Sequence, residues 1–187
     1  MDVQSLAIPA VKLVKPKRYG DERGFFEETY NERRNAEVGL EVRFVQDNHS
    51  KSAMPGTLRG LHYQAPPFAQ TKLVRVVEGR ILDVAVDARK GSDTFGQHVT
   101  AELSAENGLQ IFVPAGFLHG FVTLEPNTQV TYKVDAYYSA EADGSVRFDD
   151  PALGIDWGEY AKDPILSDKD RNAPGWDQFD SPFIYGA

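Results

Sequence analysis

Lys72-Leu73-Val74-Arg75-Val76-Val77-Glu78-Gly79-Arg80-Ile81-Leu82-Asp83-Val84-Ala85-Val86 is the stretch that decides the fold. Leu73 to Val77 and Arg80 to Val86 are rich in β-branched residues and alternate in character, as strands with one buried face do. Glu78-Gly79 between them reads as the two-residue turn of a β-hairpin. The pattern continues outward through Val99 to Leu103, Leu109 to Val113, Phe117 to Leu124 and Val130 to Tyr138. It breaks at Asn107-Gly108, Pro114-Ala115-Gly116 and Pro126-Asn127. Many short strands at this spacing predict a mainly-β chain, an antiparallel sandwich or barrel of the jelly-roll kind. One helix is expected, from Asn31 to Val38, with Asn31 as its cap and Gly39 as its stop. The tail after Pro151 is rich in Pro, Asp, Gly and Trp, and is expected to wrap the barrel irregularly. With no internal repeat and no long linker, residues 1–187 read as a single domain.

Composition narrows the function. A chain of 187 residues, 41% hydrophobic and 26% charged, is long enough to bury a core without covalent staples. The absence of cysteine excludes disulfides, cysteine nucleophiles and thiolate metal sites. Met1 to Lys17 holds no apolar core between a basic start and a small-residue cleavage site, so no secretory leader is expected and a cytoplasmic location is. No window approaches about 18 consecutive apolar residues, so no membrane partner is expected. A net charge of −8 argues against nucleic acid as a partner. A small anionic ligand remains compatible, provided a few Arg and Lys side chains converge on it.

Strand parity places polar groups among apolar ones. Lys72 shares a face with Val74 and Val76, and Tyr132 shares one with Val130 and Val134. Strict alternation gives His62 the face of Leu58 and Gly60. Any one of these reads as a satisfied core polar group or a snorkelling lysine. Three titratable groups turned toward one barrel interior read as a site.

Gly108, Pro114, Gly116 and His119 stand in the spacing G-x5-P-x-G-x2-H, which resembles the second motif of cupins. The cupin pattern continues to Asn, where this chain has Thr123. The first cupin motif supplies H-x-H and a Glu, whereas Gly60-Leu61-His62-Tyr63-Gln64 offers one His. The imidazole–carboxylate set for a transition metal is therefore incomplete, and a cupin-like barrel without metal is expected.

A more specific resemblance runs from about residue 8 to about residue 175. Asp21-Glu22-Arg23-Gly24-Phe25-Phe26-Glu27, Gln46-Asp47-Asn48-His49-Ser50, Leu58-Arg59-Gly60-Leu61-His62-Tyr63-Gln64 and Lys72-Leu73-Val74-Arg75-Val76 are followed by Thr94-Phe95-Gly96, Gly116-Phe117-Leu118-His119-Gly120-Phe121 and Ser167-Asp168-Lys169-Asp170. In this order they resemble the dTDP-4-dehydrorhamnose 3,5-epimerase family. The resemblance implies a jelly-roll homodimer with neither metal nor redox cofactor, acting on a nucleotide-linked 4-keto sugar.

The same resemblance assigns roles. His62 matches the family's base, Asp170 the carboxylate that orients it, Tyr132 the acid, and Lys72 the cation facing the sugar keto oxygen. Arg23, Glu28, Gln46, Asn48, Arg59, His119 and Lys169 match positions that contact the nucleotide and diphosphate. Glu27 is an alternative to Glu28. Tyr138 matches the aromatic that stacks on thymine. The segment from Arg23 to Glu28 is expected to complete the partner subunit's site. His49 and His98 have no assigned role.

These residue types suit the chemistry. A hydrogen beside a ketone is weakly acidic because the carbanion delocalises onto oxygen. Neutral imidazole can take that proton near working pH, and a carboxylate on its other nitrogen fixes the tautomer. A lysine at the enolate oxygen stabilises the charge that develops there. Inversion requires reprotonation from the opposite face, a task for a tyrosine on another strand. The reaction expected is inversion at C3 and C5 of dTDP-4-dehydro-6-deoxy-D-glucose. The alternatives are inversion at only one of these carbons, sugar-nucleotide binding without catalysis, and metal-dependent dioxygenase chemistry.

Two features sit awkwardly with this assignment. Alternation puts Arg59 on the face opposite His62, although both should reach the ligand; a bulge at Gly60 would reconcile them. The family commonly has Pro after I-D-W near the C-terminus, where this chain has Gly158.

Overall fold

The chain around Gly79 forms two strands but no hairpin. In a computed structural model that describes residues 1–186, the strands run as follows. β1 (Asp2–Ser5), β2 (Lys12–Lys15), β3 (Arg18–Asp21) and β4 (Gly24–Glu27) precede the helix α1 (Glu32–Glu37). Then come β5 (Gln46–Ser52), β6 (Leu58–Gln64), β7 (Lys72–Glu78), β8 (Arg80–Asp87) and β9 (Arg89–Lys90). They are followed by β10 (His98–Ser104), β11 (Gln110–Val113), β12 (Phe117–Thr123), β13 (Thr128–Val134) and β14 (Asp143–Ser145). The tail carries α2 (Asp168–Arg171) and β15 (Phe183–Ile184).

One sheet has the order β1-β2-β11-β7-β13-β5 and the other β10-β8-β12-β6-β14. Consecutive strands β7 and β8 therefore lie in different sheets, as do β10 and β11, and β12 and β13. This interleaving makes two antiparallel sheets face each other as a jelly roll. The hairpin expected at Glu78-Gly79 is thus corrected to a corner between sheets. Gly79 adopts φ 79°, and a Cβ there would lie 2.3 Å from Thr128 Oγ1. Only glycine makes the corner against so close a neighbour. The strand expected over Val130 to Tyr138 also ends early, at Val134, leaving Tyr138 on the following loop.

Alternation sorts apolar side chains into three layers. Val74, Val76, Ile81, Ala85, Val99, Leu103, Phe117, Phe121 and Val130 fill the space between the sheets. Leu58, Leu61, Val84, Val86, Leu118 and Val122 point out from the five-stranded sheet and are covered by Phe148, Leu153, Trp157 and Phe183 of the tail. Leu40 packs with Val14, Leu73 and Phe112 on the outside of the six-stranded sheet. Each such large side chain contributes roughly 1.5–3 kcal/mol by burial. The irregular tail is thus a lid on hydrophobic surface that the sheet cannot cover itself.

Helix α1 forms as its sequence demands: the Asn31 side chain accepts a hydrogen bond from the Arg34 amide at 3.2 Å, and Gly39 leaves it at φ 79°. β3 and β4 form a separate two-stranded hairpin that presents Tyr19, Phe25 and Phe26 to solvent. Among the described residues, no helix is long and apolar enough to cross a membrane.

Candidate active site

The decisive local feature is the irregularity in β6. His62 pairs with His119 of β12, and Arg59 pairs with Phe121. Two residues, Gly60 and Leu61, thus oppose the single Gly120. This bulge puts Arg59 and His62 on the same face, against the strict alternation of the sequence. It also corrects the parity read from alternation: Leu58 belongs to the outer layer, and His62 faces inward without it. Gly60 has φ 136°, and a Cβ on it would approach Gly120 Cα to 2.6 Å.

His62 Nε2 lies 2.5 Å from Asp170 Oδ1. The imidazole is 30% exposed and the carboxylate 3%, so solvent reaches the ring while its partner stays dry. Ser167 caps α2 and donates from Oγ to Asp170 Oδ2 at 2.7 Å. Burial pushes the Asp170 carboxyl up, but hydrogen bonds from His62, Ser167 and the Gly60 amide outweigh it and hold the group below its ordinary value. An anionic Asp170 on Nε2 leaves Nδ1 as the ring nitrogen open to a substrate.

A second imidazole–carboxylate pair stands beside the first. His119 Nε2 lies 3.0 and 2.9 Å from the two oxygens of Asp83. Both side chains are buried. The motif resemblance assigns Asp83 no role. Its signal was present: in Ile81-Leu82-Asp83-Val84-Ala85 it is a lone carboxylate at the inward parity of Ile81 and Ala85.

Lys72 and Tyr132 face the same interior from neighbouring strands. Tyr132 pairs with Val74, and Lys72 with Val134. Burial pushes the Lys72 ammonium down to about 8, against the pull of Asp83 and Asp143 and together with the repulsion of Lys169. Burial pushes the Tyr132 phenol up; Arg59 pulls it down and Asp143 raises it further, leaving it above its ordinary value. At neutral pH Lys72 therefore keeps its charge and Tyr132 its proton.

The remaining residues divide into two groups. Asn48 pairs with Tyr132 across β5 and β13 and accepts a hydrogen bond from Gln46 Nε2 at 2.9 Å. Gln46 Oε1 in turn accepts from the Tyr138 amide at 3.1 Å. Tyr138 is 60% exposed, with its hydroxyl 3.4 Å from Asp143 Oδ2, and Lys169 Nζ pairs with the same oxygen. Arg59 Nε is shielded from solvent without a hydrogen-bond partner. Gln46, Asn48, Tyr138, Asp143 and Lys169 are thus joined in chains of polar contacts. Arg23 does not join them: it lies at the β3–β4 turn, 85% exposed, paired with Asp21. Glu28 is held by Arg34 at 3.1 Å, while Glu27 is taken by Arg18 and Arg75.

Comparison with known proteins gives this geometry a family. The family model described as dTDP-4-dehydrorhamnose 3,5-epimerase matches residues 5–178. A Sinorhizobium fredii dTDP-4-dehydrorhamnose 3,5-epimerase is 50% identical over 185 residues, 99% of this chain and 94% of that protein. The Salmonella typhimurium enzyme of the same name is 51% identical, covering 95% and 97% of the two chains. The crystal structure of a Legionella pneumophila dTDP-6-deoxy-D-glucose-3,5-epimerase in complex with dTDP-4-keto-L-rhamnose superposes with a TM-score of 0.93 at 44% identity, covering 100% of this chain and 99% of that one. On these grounds the chain belongs to the dTDP-4-dehydrorhamnose 3,5-epimerase family.

Proposed function

We propose that this protein inverts C3 and C5 of dTDP-4-dehydro-6-deoxy-D-glucose to give dTDP-4-dehydro-L-rhamnose, with His62 as the base. The observation that carries the assignment of the base is the His62–Asp170 contact of 2.5 Å, which occupies Nε2 and leaves Nδ1 as the free ring nitrogen. Nδ1 takes the proton from the carbon next to the C4 ketone. The electron pair moves onto the C4 oxygen, and the Lys72 ammonium meets the negative charge there. The Tyr132 hydroxyl delivers a proton to the opposite face of the same carbon, and solvent restores both side chains. The sequence repeats at the second carbon. Only protons move, so the scheme calls on no redox cofactor.

Arg59, Lys169, Gln46, Asn48 and His119 are assigned to the nucleotide diphosphate, and Tyr138 to the base. The unpartnered Arg59 Nε and the exposed Tyr138 ring are in keeping with groups that wait for a ligand. A homodimer is part of the same proposal, with Arg23 and Glu28 of one subunit serving the other's site. Its support is the β3–β4 arm, whose Phe25 and Phe26 are 58% and 70% exposed, an apolar surface suited to a second copy. A cytoplasmic location fits a chain without cysteine.

The test is product analysis by NMR. Incubation with dTDP-4-dehydro-6-deoxy-D-glucose is expected to give a product inverted at both C3 and C5. A product inverted at one carbon, or unchanged substrate, contradicts the proposal.

A further inference from the structure

Gln64 is a buried side chain at the end of β6 to which the proposed mechanism gives no task. It is 4% exposed and lies two residues beyond His62 on the same face of the strand. Its amide reaches the loop between β13 and β14. Nε2 donates to the Phe68 carbonyl at 2.7 Å and to the Tyr137 carbonyl at 3.2 Å. Oε1 accepts from the Ser139 amide at 2.8 Å. The two loop contacts thus fall on either side of Tyr138, whose own amide donates to Gln46 Oε1 at 3.1 Å. Further out, Gln70 Nε2 donates to the Ala136 carbonyl at 2.9 Å and the Ala65 amide to the Ala142 carbonyl at 2.8 Å. The backbone of Tyr138 is therefore tied on both sides, while its side chain stands in solvent, the residue being 60% exposed.

We propose, resting on the assignment of Tyr138 to the nucleobase, that Gln64 is a positioning residue, the clamp that holds the Tyr138 ring ready for that base. A primary amide suits the task because it offers two donors to two carbonyls and an acceptor to one N–H. Glutamate would set negative oxygen against both carbonyls, and leucine would leave all three backbone groups without these partners. A ring on an untethered loop spends part of its stacking energy on ordering the loop, and a loop fixed beforehand avoids that cost. Gln64 and His62 also share one strand. The clamp therefore fixes the nucleobase end of the ligand relative to the imidazole that acts on the sugar.

The test is calorimetric titration of the full chain with dTDP. Gln64→Met keeps the side-chain volume and removes all three hydrogen bonds. It is expected to raise the dTDP Kd about tenfold, and Tyr138→Ala to raise it by about as much. The double variant is expected within about twofold of the weaker single, because the clamp acts through the ring. Affinity for inorganic pyrophosphate, which has no base to stack, is expected to stay at the wild-type value. In turnover, Gln64→Met is expected to raise KM about tenfold with kcat within about threefold of wild type. Gln64→Asn, which stays polar but is one methylene short of the loop, is expected to behave the same way. An unchanged dTDP Kd in both Gln64 variants, effects that multiply in the double variant, or pyrophosphate binding weakened as much as dTDP binding overturns the proposal. Wild-type dTDP affinity in Tyr138→Ala overturns the assignment of Tyr138 and the clamp with it. Because binding needs no turnover, these outcomes stand apart from that of the product analysis.

Discussion

His62 and His119 face each other across β6 and β12, and each commits its Nε2 to a buried carboxylate, Asp170 or Asp83. The two pairs are built alike but exposed differently. The imidazole of His62 is 30% exposed and that of His119 8%. The exposed ring is the one that solvent reaches, in keeping with the proposed base; the buried one is held in a fixed orientation by Asp83.

That difference separates two variants. Asp170→Asn removes the charge that stabilises the His62 imidazolium and favours the wrong tautomer, so kcat is expected to fall by roughly 10²–10⁴ with KM little changed. Asp83→Asn loosens a binding contact, and its larger effect is expected on KM. Steady-state kinetics of the two variants side by side checks the assignment.

Lys72 links activity and stability with opposite signs. Its ammonium is held down to about 8 by burial, so kcat is expected to decline as pH rises through about 8, where the cation is lost. The same depression destabilises the fold. The unfolded chain holds its lysine proton up to about 10.4, so the cost is fully present below about pH 8, declines as pH rises from there, and is gone above about pH 10.4. Lys72→Met is therefore expected to abolish turnover while raising Tm at pH 7. Calorimetry at pH 7 and pH 10 checks the sign, with the gain shrinking at the higher pH.

Gly60 is the backbone point on which the site turns. Its φ of 136° and the 2.6 Å approach of a Cβ to Gly120 Cα leave no room for alanine. Gly60→Ala is expected to cost about 1–3 kcal/mol of stability from backbone strain alone. Activity should fall further than stability, because the bulge aligns Arg59 with His62 and the Gly60 amide supports Asp170. Denaturant unfolding alongside kinetics separates the two losses.

Much of this site was legible in the sequence. The conflict between Arg59 and His62 under strict alternation pointed to a bulge at Gly60, and the register has one there. Lys72 and Tyr132 were placed by parity alone. The Glu78-Gly79 corner was misread because a local turn signal cannot report which sheet the next strand joins; that is settled by packing between distant strands. Asp83 is legible by the same parity rule that places Lys72, as a lone carboxylate in an apolar run. Asp143 was not legible: Asp143-Gly144-Ser145 has turn-like composition, and only its pairing with β6 makes it a strand beside the site. The loop carrying Tyr138 and the tail carrying Asp170 are positioned by contacts far away in sequence, for which no local pattern exists.

In the proposed mechanism His62 removes the protons at C3 and C5 and Tyr132 returns them from the other face. Incubation with dTDP-4-dehydro-6-deoxy-D-glucose in D2O, followed by NMR, tests it most directly through wild type, His62→Ala and Tyr132→Phe. Wild type is expected to place deuterium at both carbons with inversion. Tyr132→Phe is expected to exchange without inverting, and His62→Ala to do neither. Deuterium incorporation by His62→Ala at the wild-type rate would rule out His62 as the base.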